Sequence, residues 1–133
     1  MFRFFPLILL LAFSQPSWAD RFQGRTFTIT DGRSDKSKPA PTIIALHGFL
    51  GTPKSMKLKT SFDKLASQNG LLVAYMSGVK RRWNDGRAPG STIDDVGYVR
   101  AFIQKQVSQN RADARAIFIA GHSNGGGMAL RMA

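Results

Sequence analysis

The sequence predicts an α/β fold built on a mostly parallel sheet with helices on both faces. Apolar runs of strand length, rich in β-branched and aromatic residues, recur at residues 42–46, 71–75 and 116–120. Segments with helical periodicity separate them. The resulting strand-helix-strand-helix-strand order gives parallel strands joined by right-handed crossovers. The third run empties into Gly121-His122-Ser123-Asn124-Gly125, a glycine-flanked serine set between a strand and the good helix formers of residues 128–133.

Residues 1–19 read as an export leader. Met1-Phe2-Arg3 supplies a positive start, residues 7–13 are apolar, Pro16 breaks the run, and Ser17-Trp18-Ala19 offers a cleavage signal before Asp20. The apolar stretch falls short of the roughly 20 residues that span a bilayer. The expectation is therefore cleavage, an extracellular or periplasmic location, and no membrane anchor once the leader is removed. The chain has no cysteine, which excludes disulfides and thiol-linked lipid.

Residues 25–30 alternate apolar and polar side chains and predict an early strand, followed by a polar turn over residues 31–38. After the strand at residues 42–46, Thr52 is placed to cap a helix with Pro53 at its first position. Leu58, Phe62, Leu65 and Ala66 would share one face of that helix, and Asn69-Gly70 would end it. The strand at residues 71–75 leads into a long loop, residues 76–93, rich in Gly, Pro and charge. Asp94 and Asp95 favour a helix start there, with Val96, Val99, Ile103 and Val107 as its apolar stripe. A polar segment, residues 108–113, returns the chain to the third apolar strand.

The pattern G-x-S-x-G alone carries little weight in a chain with 13 glycines. Its setting carries more. A serine on a sharp strand-to-helix turn adopts a strained backbone, so the residues two before and two after it must be small, and Gly121 and Gly125 meet that need. Such a turn exposes the Ser123 hydroxyl, while the first N–H groups of the following helix, starting with Asn124, point where an oxyanion would form.

Four ordered motifs carry a family resemblance: Leu46-His47-Gly48 with Gly51-Thr52, then Trp83-Asn84-Asp85-Gly86-Arg87, then Asp94-Asp95-Val96-Gly97-Tyr98-Val99, then Gly121-His122-Ser123-Asn124-Gly125-Gly126. From about residue 26 to residue 133 the chain resembles the polyhydroxybutyrate depolymerase and feruloyl esterase family of secreted α/β hydrolases. That resemblance implies acyl transfer on an ester, with Ser123 as nucleophile and no cofactor. It places the second oxyanion donor in the loop after residue 46, with the Phe49 N–H as first choice and Gly48 as second. Triad order in this fold is Ser, then Asp or Glu, then His, so the acid and the base are expected beyond Ala133. Residues 20–133 would then be an incomplete catalytic domain, ending in the helix after the elbow and inactive alone. His47 is expected to be a loop histidine bonded to backbone, not the base. The implied substrates are polyhydroxyalkanoate, feruloylated or acetylated plant polysaccharide, or small esters.

The long loop leaves the C-terminal end of a strand, where open α/β sheets bind ligands. Trp83 and Asp85 either line a substrate pocket there, or respectively pack on the sheet and form a turn with Gly86. Two histidines, no cysteine and no H-E-x-x-H pattern offer no metal-ligand set. The formal charge of +11, with every acid an Asp, raises the question of nucleic-acid binding. The cations are scattered and not interleaved with aromatics, so a solvated surface is expected and no nucleic-acid partner. Two rival readings stay open: a non-catalytic protein binding an acidic or aromatic polymer, and a peptidase or carbon–carbon hydrolase on the same fold. The sequence says nothing about oligomeric state.

Overall fold

A computed structural model describes residues 20–133, so the leader expectation lies outside the described residues. Five strands form one sheet: β1 (Asp20–Phe22), β2 (Arg25–Asp31), β3 (Ala40–Leu46), β4 (Leu72–Met76) and β5 (Ala112–Gly121), in the order β1-β2-β4-β3-β5. As expected, β3 runs parallel to both β4 and β5. The early strand does not join that parallel set: β2 pairs antiparallel with β4, and β1 with β2. A short turn with Gln23 and Gly24 at positive φ closes the β1–β2 hairpin, which the sequence pattern did not reveal.

Four helices cover the sheet: α1 (Pro53–Lys59), α2 (Phe62–Asn69), α3 (Asp95–Ser108) and α4 (Asn124–Met132). Alternation along the central strands divides the core between the two faces. Ile44, Leu46, Ala74 and Met76 meet Val99, Phe102 and Met128 on the α3–α4 side. Ala45, Val73 and Tyr75 meet Met56 and Ala66 on the α1–α2 side.

Three expectations need correction. The helix predicted from Pro53 to Asn69 is two helices, because Thr60 leaves the helical region (φ −116°, ψ 155°) and turns its hydroxyl back to donate to the Met56 carbonyl at 3.1 Å. Met56 and Ala66 therefore carry the packing, while Leu58 and Leu65 stay exposed. The buried face of α3 is Asp95, Tyr98, Val99, Phe102 and Gln106, rotated from the predicted valine and isoleucine stripe. Its aromatics set that rotation: Phe102 packs edge-on to Phe22 and Phe27 at centroid distances of 5.5 and 4.9 Å. Finally, the strand expected to be buried, β5, is only partly so, because among the described residues it stands at the end of the sheet with one side unpaired.

The caps follow the sequence. Thr52 and Ser55 form a reciprocal capping box at α1 with Pro53 at the first position. Gly70 ends α2 in the left-handed region, and the Asp94 carboxylate accepts from the Gly97 N–H at 2.8 Å at the start of α3.

Candidate functional site

Ser123 occupies the turn between β5 and α4 with φ 52° and ψ −118°, a conformation L-residues rarely adopt. The flanking glycines are what let the turn close. A Cβ on Gly121 would stand 2.1 Å from the Gly125 carbonyl oxygen, and one on Gly125 would stand 2.3 Å from the Leu46 carbonyl oxygen. The turn is thus pressed against the C-terminal end of β3, where the His122 N–H donates to the Leu46 carbonyl at 3.1 Å. Ser123 itself is exposed.

The loop after β3 comes up beside it. A Cβ on Gly48 would lie 3.4 Å from the Ser123 Cβ and 2.8 Å from His122 Nδ1, so the loop backbone packs closely beside the serine, and a larger residue there would have to displace the His122 ring. Ser123 and Phe49 share the walls of two depressions. One, of about 110 Å³, runs towards Gly51, Ser55 and Lys59. The other, of about 380 Å³, runs towards Arg82, Asp85 and Arg87. The candidate nucleophile and both loop candidates therefore stand together, with the N-terminus of α4 beneath them.

His47 holds this loop from behind. The Gly78 N–H can only donate, so His47 Nε2 is the acceptor of their 3.2 Å bond. The proton therefore sits on Nδ1, which donates to the Gly48 carbonyl at 2.7 Å. Burial lowers the imidazole pKa below its ordinary value; the Gly48 bond opposes that shift and the nearby Arg81 charge adds to it. His47 is a neutral strut with both nitrogens engaged by backbone, which agrees with the expected loop histidine bonded to backbone.

Trp83 does not line a pocket, contrary to one of its two expected roles. Its side chain is 0 % exposed, and its indole N–H donates to the His47 carbonyl at 3.0 Å. That burial removes the aromatic which motivated the polymer-binding reading. Asp85 does line the larger depression, with a carboxylate only 6 % exposed. It accepts from Arg87 at 2.5 Å and from the Asn124 side chain at 2.9 Å. The Arg87 bond holds its pKa down at about 2, against the opposing effect of burial. A carboxylate ionised across the neutral range orients its neighbours and transfers no proton there.

Two contributions escaped the sequence reading. The Asn124 side chain accepts from the Trp83 N–H at 2.7 Å and donates to the Trp83 carbonyl at 3.0 Å, tying the residue 83–85 loop to the nucleophile helix. Arg82, one of the scattered cations expected on a solvated surface, lines the larger depression. Its neighbour Trp83, an aromatic too large to stay in solvent beside a charged run, was the available signal. Among the described residues no group of three or more His, Cys, Asp or Glu is arranged to hold a metal.

No protein-family model matches the chain. It is 35 % identical over 96 residues to feruloyl esterase B of Piromyces equi, an overlap of 68 % of this chain and 18 % of that protein. It is 30 % identical over 97 residues to NocK of Nocardia uniformis subsp. tsuyamanensis, itself an inferred esterase, covering 70 % of this chain and 28 % of that one. The chain thus spans less than a third of the length of these curated relatives. Among solved structures, the S-formylglutathione hydrolase of Staphylococcus aureus superposes with a TM-score of 0.59 at 19 % identity, over 76 % of this chain and 42 % of that one. Residues 20–133 thus carry the α/β-hydrolase fold over the part of it that they span, in a chain whose curated relatives are esterases.

Proposed function

We propose that this chain is the nucleophile-bearing part of an exported carboxylic ester hydrolase of the polyhydroxybutyrate depolymerase, feruloyl esterase or acetyl esterase type. The observation that carries this is Ser123, exposed at positive φ on a turn that only glycines allow, with backbone from a second loop packed beside it. In the proposed reaction Ser123 Oγ attacks the ester carbonyl carbon and a histidine takes its proton. The carbonyl electrons move to an oxygen held by the Asn124 and Phe49 N–H groups. Collapse expels the alcohol, which leaves with that proton, and water then hydrolyses the acyl-serine by the same route.

The base is not His47, which is buried with both nitrogens engaged, and the acid is not Asp85, held by Arg87 and Asn124. In this reading both come from chain beyond residue 133. Residues 1–133 alone are then expected to turn over esters only weakly, because loss of a triad member leaves roughly 10³ to 10⁴-fold over water. The test is hydrolysis of p-nitrophenyl acetate and methyl ferulate by the full-length gene product and by residues 1–133. Ser123→Ala in the full-length protein should lower kcat at least about a thousandfold. Turnover that survives this substitution would sink the proposal.

A further inference from the structure

The basic turn before Trp83 is built more rigidly than a solvated surface needs. Lys80 and Arg81 lie consecutively in the left-handed region, at φ 48° and 61°, a conformation that is unfavourable for residues with a Cβ. The surrounding bonds hold them there. The Arg81 carbonyl accepts from the Leu50 N–H at 2.8 Å, and the Arg81 guanidinium donates to the Leu50 and Gly51 carbonyls. On the other side Trp83 is buried and tied to Asn124 and His47. Gly78 permits the fold-back, since a Cβ there would stand 2.2 Å from the Arg82 carbonyl oxygen. The loop beside Ser123 and the basic turn are therefore a single braced unit, and Arg82 is fixed between two anchored residues.

Arg82 is the residue of that turn whose guanidinium is left available. Arg81 is spent on backbone carbonyls. Arg87 is neutralised by Asp85. Asp95, on the floor of the adjoining 310 Å³ cavity, is buried against Arg25. Among the described residues no carboxylate or carbonyl pairs with the Arg82 guanidinium, whose Cζ lies 6.0 Å from the centre of the Phe49 ring. Arg82 also lines both cavities, the one with Ser123 and the one running on towards Pro89 and Ile93. Phe49 is 61 % exposed, so ring and guanidinium together form a half-apolar, singly charged lip over the serine.

We infer that Arg82 is a specificity-determining residue that selects esters carrying a carboxylate within a pocket's length of the scissile carbonyl. This rests on Ser123 being the nucleophile. A planar guanidinium offers parallel N–H groups matched to a carboxylate. Among the residues that line the larger depression with Ser123, Arg82 is the cation without a carboxylate partner, which suits a singly charged group better than a dianion. The Phe49 ring covers the apolar linker between that group and the reacting carbonyl.

The test separates recognition from turnover by using amides in place of esters. Binding of succinyl p-nitroanilide, which ends in a carboxylate, is compared by calorimetry with that of neutral butyryl p-nitroanilide, on the full chain at low ionic strength. The acid should bind at least about tenfold tighter, with the difference shrinking as salt is raised to about 0.5 M. Arg82→Gln should bring the two affinities together. Lys64→Gln, which removes a charge on α2 away from both cavities, should leave the preference intact. Equal binding of the two anilides, absence of binding, or a preference that survives Arg82→Gln would overturn the inference. Lack of ester hydrolysis with the anilide preference intact would instead count against the proposed reaction.

Discussion

Gly125 has no room for a side chain. Its position would put a Cβ 2.3 Å from the Leu46 carbonyl oxygen and 2.5 Å from that of His47, both fixed by the end of β3. Backbone cannot yield as a flexible side chain does, so Gly125→Ala must push the turn bearing Ser123 away from the strand. A loss of about 2 kcal/mol or more is expected, together with loss of the Ser123 geometry. Gly126 makes the contrast. Its nearest neighbour would be the Gly121 carbonyl oxygen at 3.2 Å, a tight contact offset by the roughly 1 kcal/mol that alanine gains over glycine inside a helix. Gly126→Ala should stay within about 1 kcal/mol of the parent in urea unfolding. Equal effects at the two positions would show that the turn is not pressed against β3.

Between elements, His47 joins the loop after β3 to the loop after β4 by accepting from Gly78 and donating to Gly48. Protonation would destroy the acceptor. Because burial lowers the folded-state pKa below 6.5, the unfolded chain binds the proton more readily. The stability that this strut contributes is therefore complete above about pH 6.5 and is lost as pH falls towards the lowered folded value. The urea midpoint should decline on acidification from pH 7.5 to 5, above the range in which the depressed carboxylates Asp63 and Asp85 titrate. His47→Gln should flatten that decline, and an unchanged slope would refute the assignment. The two residues that this strut serves also mark how far the sequence could be read. Gly48 and the elbow glycines were legible because steric limits on a turn are local and appear as residue types at fixed spacing. Strands β3, β4 and β5 were legible for the same reason, through runs of apolar residues, whereas the β1–β2 hairpin was not. The break at Thr60 was not, because no proline or glycine signals it. The face of α3 was misread because aromatics set further along the helix outweigh β-branched residues in filling the space over Phe22 and Phe27. The tie between Trp83 and Asn124 spans about forty residues of chain, and no local pattern encodes it.

At the scale of the whole molecule, the sheet is finished on one side and open on the other. On the α3–α4 face, Ile117 and Ile119 of β5 pack against the core. On the opposite face the pairing of Ile43 with Phe118 and of Ala45 with Ala120 carries the apolar surface past the reach of α1 and α2. Phe118 is 59 % exposed there, in an entirely apolar depression with Pro41, Ile43, Phe62, Leu71 and Ala120. Among the described residues the outer edge of the same strand is unpaired, which makes β5 of residues 20–133 a template for association as well as an apolar surface. The formal charge of +11 opposes that association, and its repulsion is long-ranged only where salt is low. The 133-residue chain expressed alone should therefore remain dispersed at low ionic strength and self-associate as salt rises, a trend opposite to that of complexes held by charge. Light scattering across a salt series checks it. Phe118→Lys places a charge in the apolar depression and next to the open edge, and should shift the onset of association to several-fold higher protein concentration with little change in the unfolding midpoint. If the chain stays monomeric in high salt, or if Phe118→Lys associates as readily as the parent, β5 is not the surface through which these molecules meet.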